Sequence, residues 1–234
     1  MTNGFPHFDQ FLAAVDRDAA LAETSSRAEA ALSRRGLLGV TLGAVGAIVF
    51  GKTSVAEAGA GLPASDVDIL NYALVLEYLQ ASFYTEAERS GALSGATAQA
   101  TRVVGATERA HVKAFRQLLG SRAVARPTFD FQGVTEEQRP FLKTAVGFED
   151  LAVEAYKGQA PKLRSNAVLA AAVGIHSVEA RHAAWMRELF GITPAVNAFD
   201  QPASRAKINR IVASTHFIVS SPLMKARNTP HFTG

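Results

Sequence analysis

From Ala64 onward, apolar residues recur at intervals of three and four, the period of a buried helical face, and the breaks fall at glycine and proline. Residues 64–91 follow Pro63, with Ser65 as the expected N-cap, Asp66 and Asp68 in the first turn and Gly91 as the stop. A second helix is predicted over 94–120, ended by Gly120. The stretch 121–134 carries Pro127 and Gly133 without a clear period, and reads as a long connection extended across the molecule. A third helix is predicted over 135–158, with Thr135 as N-cap and Pro140 near its first turn, where proline costs least. A fourth covers 164–191 and a shorter fifth 201–219. Strand signals are nearly absent. The pattern predicts an all-α chain built on four long helices.

The first sixty residues follow another pattern. Arg34 and Arg35 precede sixteen uncharged residues, 36–51, rich in Gly, Val and Leu, and Lys52 ends the run. A bilayer span needs about 20 apolar residues, so this run is short for one. The small residues of "AEAGAG" (56–61) suit a signal peptidase, with cleavage after Ala58 or Ala60. "SRRGLLG" (33–39) resembles the twin-arginine export signal, which implies a bacterial protein exported in folded form to the periplasm. The competing reading is an uncleaved N-terminus on a cytoplasmic protein, or an anchor left uncut. Upstream, Phe8, Phe11, Leu12 and Val15 share one face of an amphipathic helix, either a long leader or a helix that docks a partner. The chain thus divides into an N-terminal extension (1–60), a helical bundle (61–191) and a C-terminal extension with a short helix (192–234).

Composition narrows the chemistry. Hydrophobic residues make up 48% of the 234 and charged residues 19%, which supports a packed core. A net charge of +3 from scattered basic residues does not suit a nucleic-acid partner. There is no cysteine, so any metal must be held by oxygen and nitrogen.

The helical segments repeat. "EYLQASFY" (77–84) aligns with "EDLAVEAY" (149–156), and "TERAH" (107–111) is matched by "VEARH" (178–182). Glu77 lies 31 residues before Glu108, and Glu149 lies 30 before Glu179. Each half reads Glu-x-Leu-x-x-x-x-Tyr, then Glu-x-x-His. This is a duplicated helical hairpin with a period of about 72 residues.

On a helix, each residue turns about 100°, so Glu108 and His111 reach one point beside it, as do Glu179 and His182. Glu77 and Glu149 sit in apolar surroundings, where a lone carboxylate would be costly to bury. Four carboxylates at one centre repel unless cations neutralise them; two divalent ions match them in charge, with the imidazoles neutral. Carboxylate with imidazole suits iron or manganese, and zinc less distinctively. One glutamate from each of two helices and a Glu-x-x-His from each of the other two is the dimetal pattern of four-helix bundles.

On these motifs, residues 65–190 resemble the ferritin-like superfamily of carboxylate-bridged dimetal proteins, in particular its exported branch related to desiccation-associated proteins. The resemblance implies Glu77, Glu108, His111, Glu149, Glu179 and His182 as ligands of two Fe or two Mn ions, with Glu108 and Glu179 as the bridges. It also implies an up-down-down-up four-helix bundle with its long crossover at 121–134.

Two function classes follow. One is an oxidoreductase that oxidises Fe(II) or consumes peroxide or dioxygen, as a ferroxidase, peroxidase or manganese catalase-like enzyme. The other is a non-catalytic scaffold, metal buffer or stress-protective protein. After export no permanent membrane span is expected, and a homodimer is the favoured assembly. Tyr84 and Tyr156 lie two turns beyond Glu77 and Glu149. Core packing is their favoured role; the sharper one is catalytic, through hydrogen bonding to a ligand or as redox tyrosines. His176 is expected to be structural or to support a ligand, since Gly105 holds its place in the first half. Glu154 should face solvent and Glu88 should lie at the bundle's end. Arg109 and Arg181 could pair with the carboxylates or lie on the surface. Phe115 and Trp185 are expected in the core, and His216 and His231 are incidental.

Overall fold

The computed structural model describes residue 59 and residues 61–195 and 197–220. The leader, apart from that one glycine, and the tail after Ser220 lie outside the described residues. Four long helices follow one another as expected: α1 (Ala64–Ser90), α2 (Gly95–Leu119), α3 (Gln138–Gln159) and α4 (Asn166–Phe190), with a short α5 (Arg205–Thr215) behind them. Gly91, Gly120 and Gly191 stand at the ends of α1, α2 and α4 with positive φ, the backbone that ends a helix at no Cβ penalty. Among the described residues no helix is long and apolar enough to cross a membrane.

Contacts fix the order of the bundle. α1 packs on α2 and α3 on α4, and the two hairpins face each other. Tyr84 reaches Glu149 while Tyr156 reaches Glu77, so α1 and α3 run antiparallel. His111 meets Glu179 while His182 meets Glu108, so α2 and α4 do too. The connection after α2 must therefore travel the length of the bundle, the expected up-down-down-up path. It does so alongside α1. Asn71 donates to the Arg122 carbonyl (3.0 Å) and accepts from the Val124 amide (2.7 Å). Further along, Arg126 donates to Ser82 Oγ (2.7 Å), and Ser90 Oγ donates to the Thr135 carbonyl (3.1 Å). This cover explains why every residue from Leu76 to Tyr84 is buried, although an ordinary surface helix buries one stripe.

Three local expectations are corrected. α1 starts at Ala64 behind Pro63, and Ser65 lies inside the first turn with its hydroxyl 3.3 Å from Asp66 Oδ1. Asp66 is fully buried and accepts the amides of Arg164 and Ser165, tying the start of α1 to the start of α4. Thr135 does not cap α3, which begins at Gln138; its hydroxyl is spent on Glu86 Oε1 (2.7 Å). The crossover also forms a strand. β1 (Thr128–Phe129) pairs antiparallel with β2 (Ile218–Ser220) beyond α5, a contact without any period in the sequence.

Two apolar clusters fill the bundle. One joins Ile69, Leu70, Leu74, Phe115, Leu119 and Leu169 near the start of α1. The other is aromatic: Phe83 stacks on Phe141 (5.0 Å) and meets Phe148 (5.1 Å) and Phe131 (5.4 Å) edge-on. α5 closes over α3 through the Lys207–Glu154 ion pair (2.7 Å) and the fully buried Ile208. Glu154 is thus on the surface as expected, though paired. Phe83→Ala should cost about 3–5 kcal/mol in urea unfolding, because four ring contacts vanish into a cavity. Val103→Ala, on the exposed side of α2, should cost less than about 0.5 kcal/mol.

Candidate metal centre

Between the two clusters each long helix turns charge inward. α1 contributes Glu77, α2 Glu108 and His111, α3 Glu149, and α4 Glu179 and His182. All four carboxylates are at most 1% exposed, and the two imidazoles are nearly covered. The helices place them there because the duplicated motifs put Glu and His one turn apart on the inward faces of α2 and α4.

The six side chains form two overlapping groups. Glu77, Glu108, His111 and Glu179 offer ligand atoms within 4.8 Å of one another, and so do Glu108, Glu149, Glu179 and His182. Glu108 and Glu179 belong to both. His111 Nδ1 lies 3.2–3.3 Å from Glu77 Oε2, Glu108 Oε2 and Glu179 Oε1. His182 Nδ1 lies 2.9 Å from Glu108 Oε1 and 3.6 Å from Glu149 Oε2.

These contacts leave the polar atoms short of partners. Glu77 Oε2, Glu108 Oε1, Glu149 Oε2, both Glu179 oxygens and His182 Nδ1 have no hydrogen bond despite their burial. The 2.9 Å approach of His182 to Glu108 is close but misdirected. Buried polar groups are normally satisfied, so a cluster of orphaned oxygens converging on two points is what a pair of cations would complete. The donor set, oxygen with two nitrogens and no sulfur, fits iron or manganese.

The tyrosines do more than pack. Tyr84 Oη donates to Glu149 Oε1 (2.6 Å), and Tyr156 Oη donates to Glu77 Oε1. Each half of the duplication thus holds the outer carboxylate of the other. Both rings also pack in the core as expected, and the shared position of the two tyrosines after their glutamates was the signal for the added hydrogen bonds. Both hydroxyls are held protonated well above the ordinary tyrosine range, first by burial and then by the carboxylate each touches.

Burial and crowding also shift the pKa values of the cluster. Burial, then the Glu108 charge, pushes Glu179 well above the carboxylate range. Glu108 is raised too, because burial outweighs its two histidine partners. At Glu77 burial works upward, but the His111 charge and the Tyr156 hydrogen bond outweigh it and hold the carboxyl low. His111 is raised far above its usual value: burial opposes the charge, and three carboxylates overcome it. His182 is pushed up to about 10 in the same way by Glu108 and Glu149.

The remaining candidates lie outside the cluster. His176 sits 3.9 Å from Asp200, and burial lowers its pKa; it is no seventh member. Arg109 pairs with Glu88 (2.9 Å), which lies in the last turn of α1, and Arg181 is exposed, so neither neutralises the carboxylates. Phe115 is in the aliphatic cluster of the core, and Trp185 packs half-buried against the aromatic one. His216 ends α5 with φ 56°. What sequence reasoning missed was Asp66, read only as a first-turn charge; its burial depends on the start of α4, 98 residues away.

Residues 65–191 match the family model of the ferritin-like domain, more than half of the chain. No curated protein matches it.

In the metal-free protein, the His182 imidazole should titrate near pH 10 by NMR, not near its ordinary 6.5. A pKa raised on folding stabilises fully below the unfolded value, and that contribution is lost as pH rises through the folded one. Metal-free protein should therefore lose this contribution between about pH 6.5 and 10. A midpoint below 7 would remove the electrostatic reading of the cluster.

Proposed function

The chain belongs to the ferritin-like domain family, and we propose that it is a dimetal oxidoreductase, holding two iron or two manganese ions and oxidising Fe(II) or consuming peroxide or dioxygen. The single observation that supports this most is the pair of four-residue groups sharing Glu108 and Glu179 at the buried centre. Glu77 with His111 would hold one ion, Glu149 with His182 the other, and the two shared glutamates would bridge them. Such a pair supplies redox steps shared between neighbouring metals.

The protein's own part is to position and to protect. Four helices fix the carboxylates before any ion arrives, so their mutual repulsion is met in folding and relieved by binding. Tyr84 and Tyr156 keep their protons and orient the outer carboxylates, leaving one oxygen of each free for metal. The aromatic cluster on one side and the aliphatic cluster on the other keep bulk water from the centre. The histidines must give up their protons to bind metal, so loading should release protons and weaken as pH falls. Export would follow from Arg34, Arg35 and the apolar run behind them; N-terminal sequencing of protein from its native compartment tests whether the leader is cut.

Full-length protein purified without chelator should carry about two iron or manganese ions per chain by elemental analysis. It should also turn over Fe(II) with dioxygen, or peroxide. Glu108→Ala should abolish the pair, while Glu154→Ala, which breaks only the surface pair with Lys207, should retain it. Two ions without turnover would make the protein a metal store and overturn the enzyme reading. Absence of metal after reconstitution would overturn both. Tyr156→Phe should weaken metal affinity by about 10–100-fold in a competition titration with a chelating dye, because Glu77 loses its donor.

A further inference from the structure

The pairing of the two repeats leaves one buried donor unused. Tyr84 reaches Glu149 and Tyr156 reaches Glu77, so two Tyr–Glu bonds cross between α1 and α3. Gln80 stands midway between them on α1, three residues after Glu77 and four before Tyr84. Its counterpart in the other repeat, Ala152, stands three after Glu149 and four before Tyr156. Because α1 and α3 run antiparallel, the axis relating the repeats passes at this level, and Gln80 and Ala152 share it. The contacts of His111 with Glu179 and of His182 with Glu108 put the same axis between the two four-residue groups. On the helix, Gln80 lies about 60° from Glu77 and about 40° from Tyr84, which turns it to the inner side of α1. It is only 3% exposed, yet its Nε2 has no hydrogen-bond partner. Buried amides are normally bonded, and an orphaned one is costly. Packing does not call for it, since the fold accepts alanine at the equivalent place.

We infer that Gln80 binds a small anion at the metal pair, its Nε2 donating to the ligand from the α1–α3 side. The inference rests on the dimetal reading and adds to it a residue that determines which ligands the pair accepts. Two divalent ions, four carboxylates and two neutral imidazoles already balance in charge. An entering anion therefore brings uncompensated charge into a buried space and needs a donor. Both tyrosine hydroxyls are committed, one to Glu149 and one to Glu77. Gln80 is neutral, so it supplies a hydrogen bond without disturbing the balance. Ala152 supplies none, which makes two nearly equivalent halves unequal: α1 carries the donor and α3 leaves the space beside it.

Azide is a small anion whose binding can be read without turnover. Full-length protein loaded with two ferric ions should be titrated with azide, followed by the absorption of the complex. Gln80→Met keeps the length of the side chain and removes the donor. It should weaken azide binding about 10-fold or more, with metal per chain unchanged. Moving the amide across the axis, with Gln80→Ala and Ala152→Gln together, should restore most of that affinity. In the metal-free protein, Gln80→Met should hold or raise the urea midpoint, because an unpaired buried amide is removed. A glutamine that served packing alone would lower it, and that result overturns the inference. So does equal azide affinity in wild type and Gln80→Met, which leaves the metal pair itself standing. A wild-type chain that takes up no metal pair overturns the dimetal reading, and this inference with it.

Discussion

Four carboxylates crowded into one buried space set the terms for the rest of the molecule. Glu77, Glu108, Glu149 and Glu179 are all essentially shielded from water, and each is within reach of at least one histidine. Two imidazolium ions against four carboxylates leave an excess of negative charge, and burial with that crowding raises the pKa of Glu108 and Glu179 above the ordinary carboxylate value. That arrangement is frustrated: several oxygens remain without hydrogen bonds. Two divalent ions would cancel the charge and fill those vacant lone pairs together.

The architecture serves that constraint. A helical hairpin supplies one glutamate and one Glu-x-x-His; two hairpins, run antiparallel, supply the full set. The tyrosines lock the halves together, since each reaches across from α1 to α3 or back to hold a carboxylate of the other repeat. Because α2 and α3 must run in the same direction, the crossover has to span the bundle, and in doing so it seals the outer side of α1. Burial of Glu77 in a stretch of α1 that is covered on every side follows from that path.

Much of this was legible because the duplication left identities at a fixed offset. Glu77 and Glu149, Glu108 and Glu179, and His111 and His182 announce themselves as pairs, and helical geometry aims them inward. Features set by contacts distant in sequence were not legible. Thr135 looks like a helix cap until Glu86, 49 residues earlier, takes its hydroxyl. The strand at Thr128–Phe129 exists only because Ile218–Ser220 returns to it. The ring cluster draws on residues from Phe83 to Phe217 and is visible only once those distant segments are packed. Tyr84 and Tyr156 fall between: their spacing was readable, but the glutamate each one meets belongs to the other repeat.

The central claim is that this charge cluster is a two-cation site. Anomalous diffraction from crystals grown with iron or manganese, recorded at the metal's absorption edge, tests it most directly. The account predicts two peaks per chain, one beside Glu77 and His111 and one beside Glu149 and His182, with Glu108 and Glu179 reaching both. A single peak, or metal only on the surface, would contradict it.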